Sequence, residues 1–160
     1  LRPPGDGLTG AAAAGQLRSN VHGYTDDECA NLIGLGGSSI SRLPDLYVQN
    51  VTATPAWSAQ VATGGLARAK DFALTAKDRL RGRAIEMLMC KFHLDLGELR
   101  LRFGGLANTL APVCAALATR FGDLVRHKVT TLEIATGGRR LTRLVAQAFD
   151  AHIPQIARFS

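Results

Sequence analysis

Apolar side chains recur every three to four positions between Lys77 and Phe92, at Leu80, Ala84, Ile85, Leu88, Met89 and Phe92. That spacing is one buried stripe of an α-helix, and Thr75 with Asp78 has capping-box spacing at its start. A second helix is predicted over Leu96 to Phe103, closed by Gly104-Gly105. A third carries Leu110, Val113, Cys114, Leu117 and Phe121 on one face, with Thr109 as cap, Pro112 in the first turn and Gly122 at its end. Leu124 to Val129 and Thr131 to Ala135 read as two short strands of a hairpin, which leaves His127 exposed. Thr136 is placed to cap a last helix with Leu141, Leu144, Val145, Ala148 and Phe149 inward, ended or kinked by Pro154.

The amino-terminal half patterns less regularly. A short helix is predicted over Leu8 to Leu17, after an irregular Pro- and Gly-rich start. Between Asn31 and Ser41, Gly34, Gly36 and Gly37 flanked by Leu and Ile suggest a buried strand running into a loop whose backbone lies close against something, a ligand or a neighbouring strand. Tyr47 to Val51 reads as a strand, and Thr54-Pro55 as the start of a helix that stops at Gly64-Gly65. The character of the sequence changes there, dividing the chain into 1–65 and 66–160. The fold class is α+β, mainly helical. From residue 75 onward, three helices, a small β-hairpin and a final helix are similar to a winged-helix arrangement, which by itself discloses no function.

Composition narrows the classes. The 160 residues are 46% hydrophobic, and no apolar run approaches the roughly 18 to 20 residues a bilayer span needs, so a soluble, cytoplasmic protein without membrane contact is expected. The chain opens at Leu1 without a Met or a signal-peptide core, as a fragment would. Cys29, Cys90 and Cys114 are odd in number and far apart, which fits buried reduced thiols better than a disulfide or a metal site. No two are close enough in sequence to suggest a cluster held by this chain alone.

The net charge of +6 allows acidic partners, whether nucleic acid, an anionic surface or a polycarboxylate. Arginines gather at 79, 81 and 83, at 100 and 102, and at Arg139, Arg140 and Arg143, as solvated faces or as forks for carboxylates or phosphates. The helix before the hairpin has Arg120 as its single basic residue, which disfavours a DNA-reading role. The glycine loop has Ser39 where a dinucleotide fingerprint needs its third glycine, and no P-loop lysine. The four histidines lack metal-ligand spacing; His22 alone sits beside the glycine-rich segment and is a candidate ligand-facing residue.

Asn20-Val21-His22-Gly23-Tyr24-Thr25, then Leu32-Ile33-Gly34-Leu35-Gly36-Gly37-Ser38-Ser39-Ile40-Ser41 and Tyr47-Val48-Gln49-Asn50, resemble the oxygen-independent coproporphyrinogen III oxidases. That family carries Asn-Phe-Gln-Gly-Tyr-Thr, Leu-Leu-Gly-Leu-Gly-x-Ser-x-Ile-Ser and Tyr-x-Gln-Asn in the same order and separation. Cys90-Lys91-Phe92-His93-Leu94-Asp95 and the closing segment from Thr136 to Ser160 are also similar. Related haem chaperones share the Gly-Leu-Gly loop but have Tyr-Trp before it and Ala-His-Ser after it.

The resemblance implies the tail of a radical S-adenosylmethionine barrel and active-site loop over 1–65, then a winged-helix-like carboxy-terminal domain over 66–160. It implies a full enzyme with a 4Fe–4S cluster and two S-adenosylmethionine molecules, in which a deoxyadenosyl radical takes hydrogen from a propionate of coproporphyrinogen III and loss of carbon dioxide leaves a vinyl group. Two propionates react, giving protoporphyrinogen IX. The cluster-binding cysteines would lie upstream of Leu1, so the chain alone is expected to be inactive, with no catalytic residue, metal or cofactor of its own, and monomeric. Ile40 matches the family position that contacts the second S-adenosylmethionine. His22 and Val21 stand where the family has Gln and Phe, as cofactor-adjacent departures. Arg139 and Arg140 are candidates for the carboxylates of the substrate. The rival readings are a haem chaperone of the same superfamily and a winged-helix module for protein or nucleic-acid contacts.

Overall fold

In a computed structural model, residues 6–20, 23–27 and 29–151 are described. Along the chain run α1 (Gly7–Ala13), β1 (Arg18–Asn20), β2 (Gly23–Thr25), β3 (Ile40–Leu43), β4 (Leu46–Asn50), α2 (Thr54–Ala62), β5 (Arg68–Ala73) and α3 (Ala76–Lys91). β6 (His93–Asp95), α4 (Leu96–Phe103), α5 (Ala111–Phe121), β7 (Val125–His127), β8 (Thr131–Ile134) and α6 (Thr142–Gln147) complete the order. The strands form three antiparallel sheets, β1-β2, β3-β4-β5 and β6-β8-β7, so the class is α+β.

Two compact units result, one from the residues up to Asp26 together with those from Ala76, the other Asp27–Thr75. A boundary at residue 65 therefore falls inside the second unit, because Arg68–Ala73 pairs with β4 from Leu46↔Ala73 to Asn50↔Arg68. This strand is exposed along its whole length and has no apolar alternation to announce it.

The core of the first unit is built on α3, where Leu80, Ala84 and Leu88 of the expected stripe are buried, Met87 is buried in place of Met89, and Ile85 and Phe92 are only partly buried. Leu80, Ala84, Met87 and Leu88 meet Leu96 and Leu99 at α4, Leu110, Cys114 and Leu117 around α5, Leu94, Val125, Leu132 and Ile134 on the sheet, and Val145 and Phe149. Fully burying a side chain of this size contributes about 1.5–3 kcal/mol. Asp95 caps α4, its Oδ1 accepting from the Gly97 and Glu98 amides at 2.7 and 3.1 Å.

Several local expectations shift. Thr109 does not cap α5; its hydroxyl donates to the Leu106 carbonyl, inside a 3-10 turn Gly104–Leu110 that leads into the helix. Thr136 opens a 3-10 turn to Leu141 rather than an α-helix, and α6 starts only at Thr142. α2 is capped by Ala53, one residue early. His127 is half-buried, not exposed, and its Nε2 is buried without a hydrogen-bond partner. The expected buried strand before the glycine loop is absent: Ile33 and Leu35 are 63% and 87% exposed, and a single bridge joins Leu32 to Arg42.

The bilayer expectation also changes. Helical turns from Leu96 to Leu124 are continuous over 29 residues and pass the length and composition needed to cross a membrane. Gly104, at φ 59°, interrupts the α-helical path after α4, and Leu99, Ala107, Leu110, Cys114 and Leu117 are core residues. Those five side chains pack into the core of the helical unit, while 22% of the apolar window as a whole is buried.

Candidate functional site

The loop between Leu32 and Ile40 is built so that main chain lies on main chain. A Cβ at Gly34 would come within 2.9 Å of the Ile40 carbonyl carbon and oxygen and of the Ser39 Cβ, so only glycine fits without displacement. Gly36 turns at φ 100° and Ser38 at φ 64°. The Asn50 amide then donates to the Gly34 and Gly36 carbonyls at 3.2 and 2.9 Å. Ser41, buried, takes the Gly34 N–H on its hydroxyl at 3.0 Å, and the Ser38 N–H reaches the Val51 carbonyl at 3.0 Å. The register of β4 against β5 shifts between Gln49 and Asn50, a bulge beside the residue that clamps the loop.

Ile40 begins β3, the outer strand of its sheet, opposite Gln49. Because the Asn50 N–H donates to the Ser39 carbonyl, antiparallel alternation turns the Ile40 N–H and C=O away from β4, toward the glycine loop. The Ile40 carbonyl therefore packs against the Gly34 backbone, while Leu35 is exposed at the turn. Asn50 and Ser41, which hold this geometry, were not singled out as site residues from sequence. The signal available was their place inside the Tyr-x-Gln-Asn and Ile-Ser motifs.

The remaining candidates are not part of this loop. Arg139 and Arg140 are exposed on the 3-10 turn of the first unit, and the Arg139 guanidinium stacks over the Phe92 ring, 4.5 Å from its centroid. Val21 and His22 lie outside the described residues.

Among the described residues no three His, Cys, Asp or Glu side chains gather as a metal site. Burial pushes the Cys114 thiol up to about 11, and burial followed by the nearby Glu86 carboxylate pushes Cys90 up to about 11. The hydrogen bond from exposed Cys29 to Asp27 raises its pKa as well. Thiols of the unfolded chain titrate near roughly 8.5, so the stability these buried thiols contribute is intact below that pH and is lost as pH rises toward their folded values. Native protein at pH 8 is expected to be alkylated at Cys29 while Cys114 reacts only in denaturant, and the urea midpoint is expected to fall between about pH 9 and pH 11.

The chain is 42% identical over 158 residues to oxygen-independent coproporphyrinogen III oxidase of Cereibacter sphaeroides, covering 98% of this chain and 35% of that protein. It is 44% identical over 149 residues to the enzyme of the same name from Paracoccus denitrificans, covering 93% of this chain and 33% of that one.

The chain is a relative of the oxygen-independent coproporphyrinogen III oxidases.

A solved structure of coproporphyrinogen III oxidase from Escherichia coli, described as a radical SAM enzyme, matches with a TM-score of 0.82 and 31% identity, covering 94% of this chain and 35% of the other. The chain thus spans about a third of the length of the oxidases it matches, and corresponds to their carboxy-terminal part. No protein-family model matches.

Proposed function

We propose that this chain is the carboxy-terminal portion of a radical S-adenosylmethionine enzyme that oxidatively decarboxylates two propionates of coproporphyrinogen III to vinyl groups, giving protoporphyrinogen IX. The observation that carries this reading is 42–44% identity to oxidases of that name across 93–98% of the chain. Each propionate loses a hydrogen atom, one further electron and carbon dioxide. A 4Fe–4S cluster with S-adenosylmethionine, when bound by the intact enzyme, supplies the acceptor of the hydrogen atom.

In this reading the chain's own residues bind, orient and exclude water. Ile40 contacts the second S-adenosylmethionine from a loop held in place by the Asn50 and Ser41 clamp. Val21 and His22, where the family has Phe and Gln, are further candidates for the cofactor. Arg140 and Arg139 meet substrate carboxylates; a guanidinium stacked on Phe92 keeps its in-plane N–H donors for such a partner. The amino-terminal part of the chain continues the barrel, and the helical part from Ala76 forms the cap.

The cap is winged-helix-like in this reading, supported by the order α3, β6, α4, α5, β7, β8 and the sheet order β6-β8-β7. The exposed face of α5 offers Ala115, Ala116, Thr119 and Arg120, which favours structural use over reading nucleic acid. The intact enzyme is cytoplasmic and monomeric, and the isolated chain is inactive for want of a cluster.

The reading frame upstream of Leu1 is expected to encode Cys-x-x-x-Cys-x-x-Cys. The intact protein, reconstituted without oxygen, is expected to release two carbon dioxide molecules per protoporphyrinogen IX, and the chain alone none. Stoichiometric haem binding without carbon dioxide release would transfer the assignment to the haem chaperones.

A further inference from the structure

The β1–β2 hairpin is anchored differently from the rest of its unit. None of its described side chains is buried, whereas α3 beneath it sends four residues into the core. Among the described residues, a polar link runs to α3 from each strand. Arg18 Nη1 lies 3.5 Å from Glu86 Oε1, and the Tyr24 hydroxyl donates to the Met89 carbonyl at 3.3 Å. Met89 is in the last turn of α3, where carbonyls lack helical donors, so this bond satisfies an end group of the helix. Glu86 and Met89 are three residues apart and share a helix face.

The receiving carboxylate is itself held in advance. Glu86 Oε2 takes Arg83 Nη1 at 2.8 Å, and Arg83 reaches Glu98 on α4 through Nη2 at 2.7 Å and Nε at 3.1 Å. The side chains of Arg83 and Glu86 are each 16% exposed. Charges alternate along Arg18, Glu86, Arg83 and Glu98. Joining α3 to α4 requires only the last three, and those helices already share Leu80, Ala84, Leu88, Leu96 and Leu99. The outer oxygen of Glu86 is left for Arg18.

We propose that Arg18, Tyr24 and the preset Glu86 are positioning residues that seat the β1–β2 hairpin on α3, and that this seating governs the binding of S-adenosylmethionine rather than the stability of the fold. The inference rests on the functional reading above, which assigns Val21 and His22, between these two strands in sequence, to the cofactor. A two-point polar seat on a prearranged carboxylate fixes orientation at low entropic cost when ligand arrives.

The test compares the intact wild-type protein with Arg18→Gln, Arg18→Lys and Tyr24→Phe. In Arg18→Gln, amide hydrogen exchange over residues 18–25 is expected to speed up while α3 is unchanged, and the Kd for S-adenosylmethionine to rise about two- to fivefold, the scale of a part-exposed ion pair. Turnover at saturating cofactor stays within about twofold, and Arg18→Lys recovers most of the affinity. Unchanged exchange in the hairpin overturns the seating, and faster exchange with unchanged Kd overturns its role in binding. A wild-type protein that binds no S-adenosylmethionine overturns the functional reading and the claim on binding together, while the exchange measurement still decides the seating.

Discussion

Gly34→Ala in the intact protein raises the KM for S-adenosylmethionine by about tenfold or more while leaving the melting of the helical unit unchanged. The added Cβ lands 2.9 Å from the Ile40 carbonyl and from Ser39 Cβ, and two of those three neighbours are main-chain atoms that cannot rotate away. Overpacking of this kind costs about 1–3 kcal/mol, which is roughly five- to 150-fold in an equilibrium constant. The strand can relieve it only by moving Ile40 outward, the movement that spoils its contact with the cofactor in the functional reading above. Asn50 and Ser41 resist that movement through their bonds to Gly34 and Gly36. Steady-state kinetics with varied cofactor, beside a thermal melt, checks the separation; an unchanged KM would show that the glycine is needed for the turn alone.

The largest loss of stability is expected from Leu88→Ala. Leu88 has no exposed surface and sits where α3 meets the rest of the core of the helical unit. Truncation removes buried methyl groups and leaves a cavity in a close-packed region, costing about 2–5 kcal/mol. Leu101, on α4 and 92% exposed, is the matched control, and Leu101→Ala is expected to change stability by no more than about 0.5 kcal/mol. Urea unfolding followed by far-ultraviolet circular dichroism measures both. Since whole domains are stable by only about 5–15 kcal/mol, the first change is visible at once in the midpoint.

The helices of the carboxy-terminal half were legible because their signal is local. Leu80, Ala84 and Leu88 recur at the helical period, and glycines at 104 and 122 stop α4 and α5 where expected. The caps were less legible. Thr109 and Thr136 have capping chemistry, but each falls in a 3-10 turn whose tighter path is continuous with the α-helix on its carboxy-terminal side. β5 left no trace, since Arg68 to Ala73 alternates nothing and is defined by its partner β4. β6 is three residues long and exists through its pairing with β8.

The glycine loop divides in the same way. Its unusual glycines and the motif Gly34-Leu35-Gly36-Gly37-Ser38-Ser39-Ile40 mark a close backbone approach and carry the family resemblance, both properties of consecutive residues. What Gly34 approaches, which carbonyls Asn50 holds and which way the Ile40 peptide faces depend on residues up to sixteen positions away. The sequence by itself therefore determined the helical periods, the family and the place of the loop. Tertiary structure alone decided the exposed strand β5, the clamp on the loop and the seat of the hairpin on Glu86, because hydrogen bonds and ion pairs between distant segments leave no period along the chain.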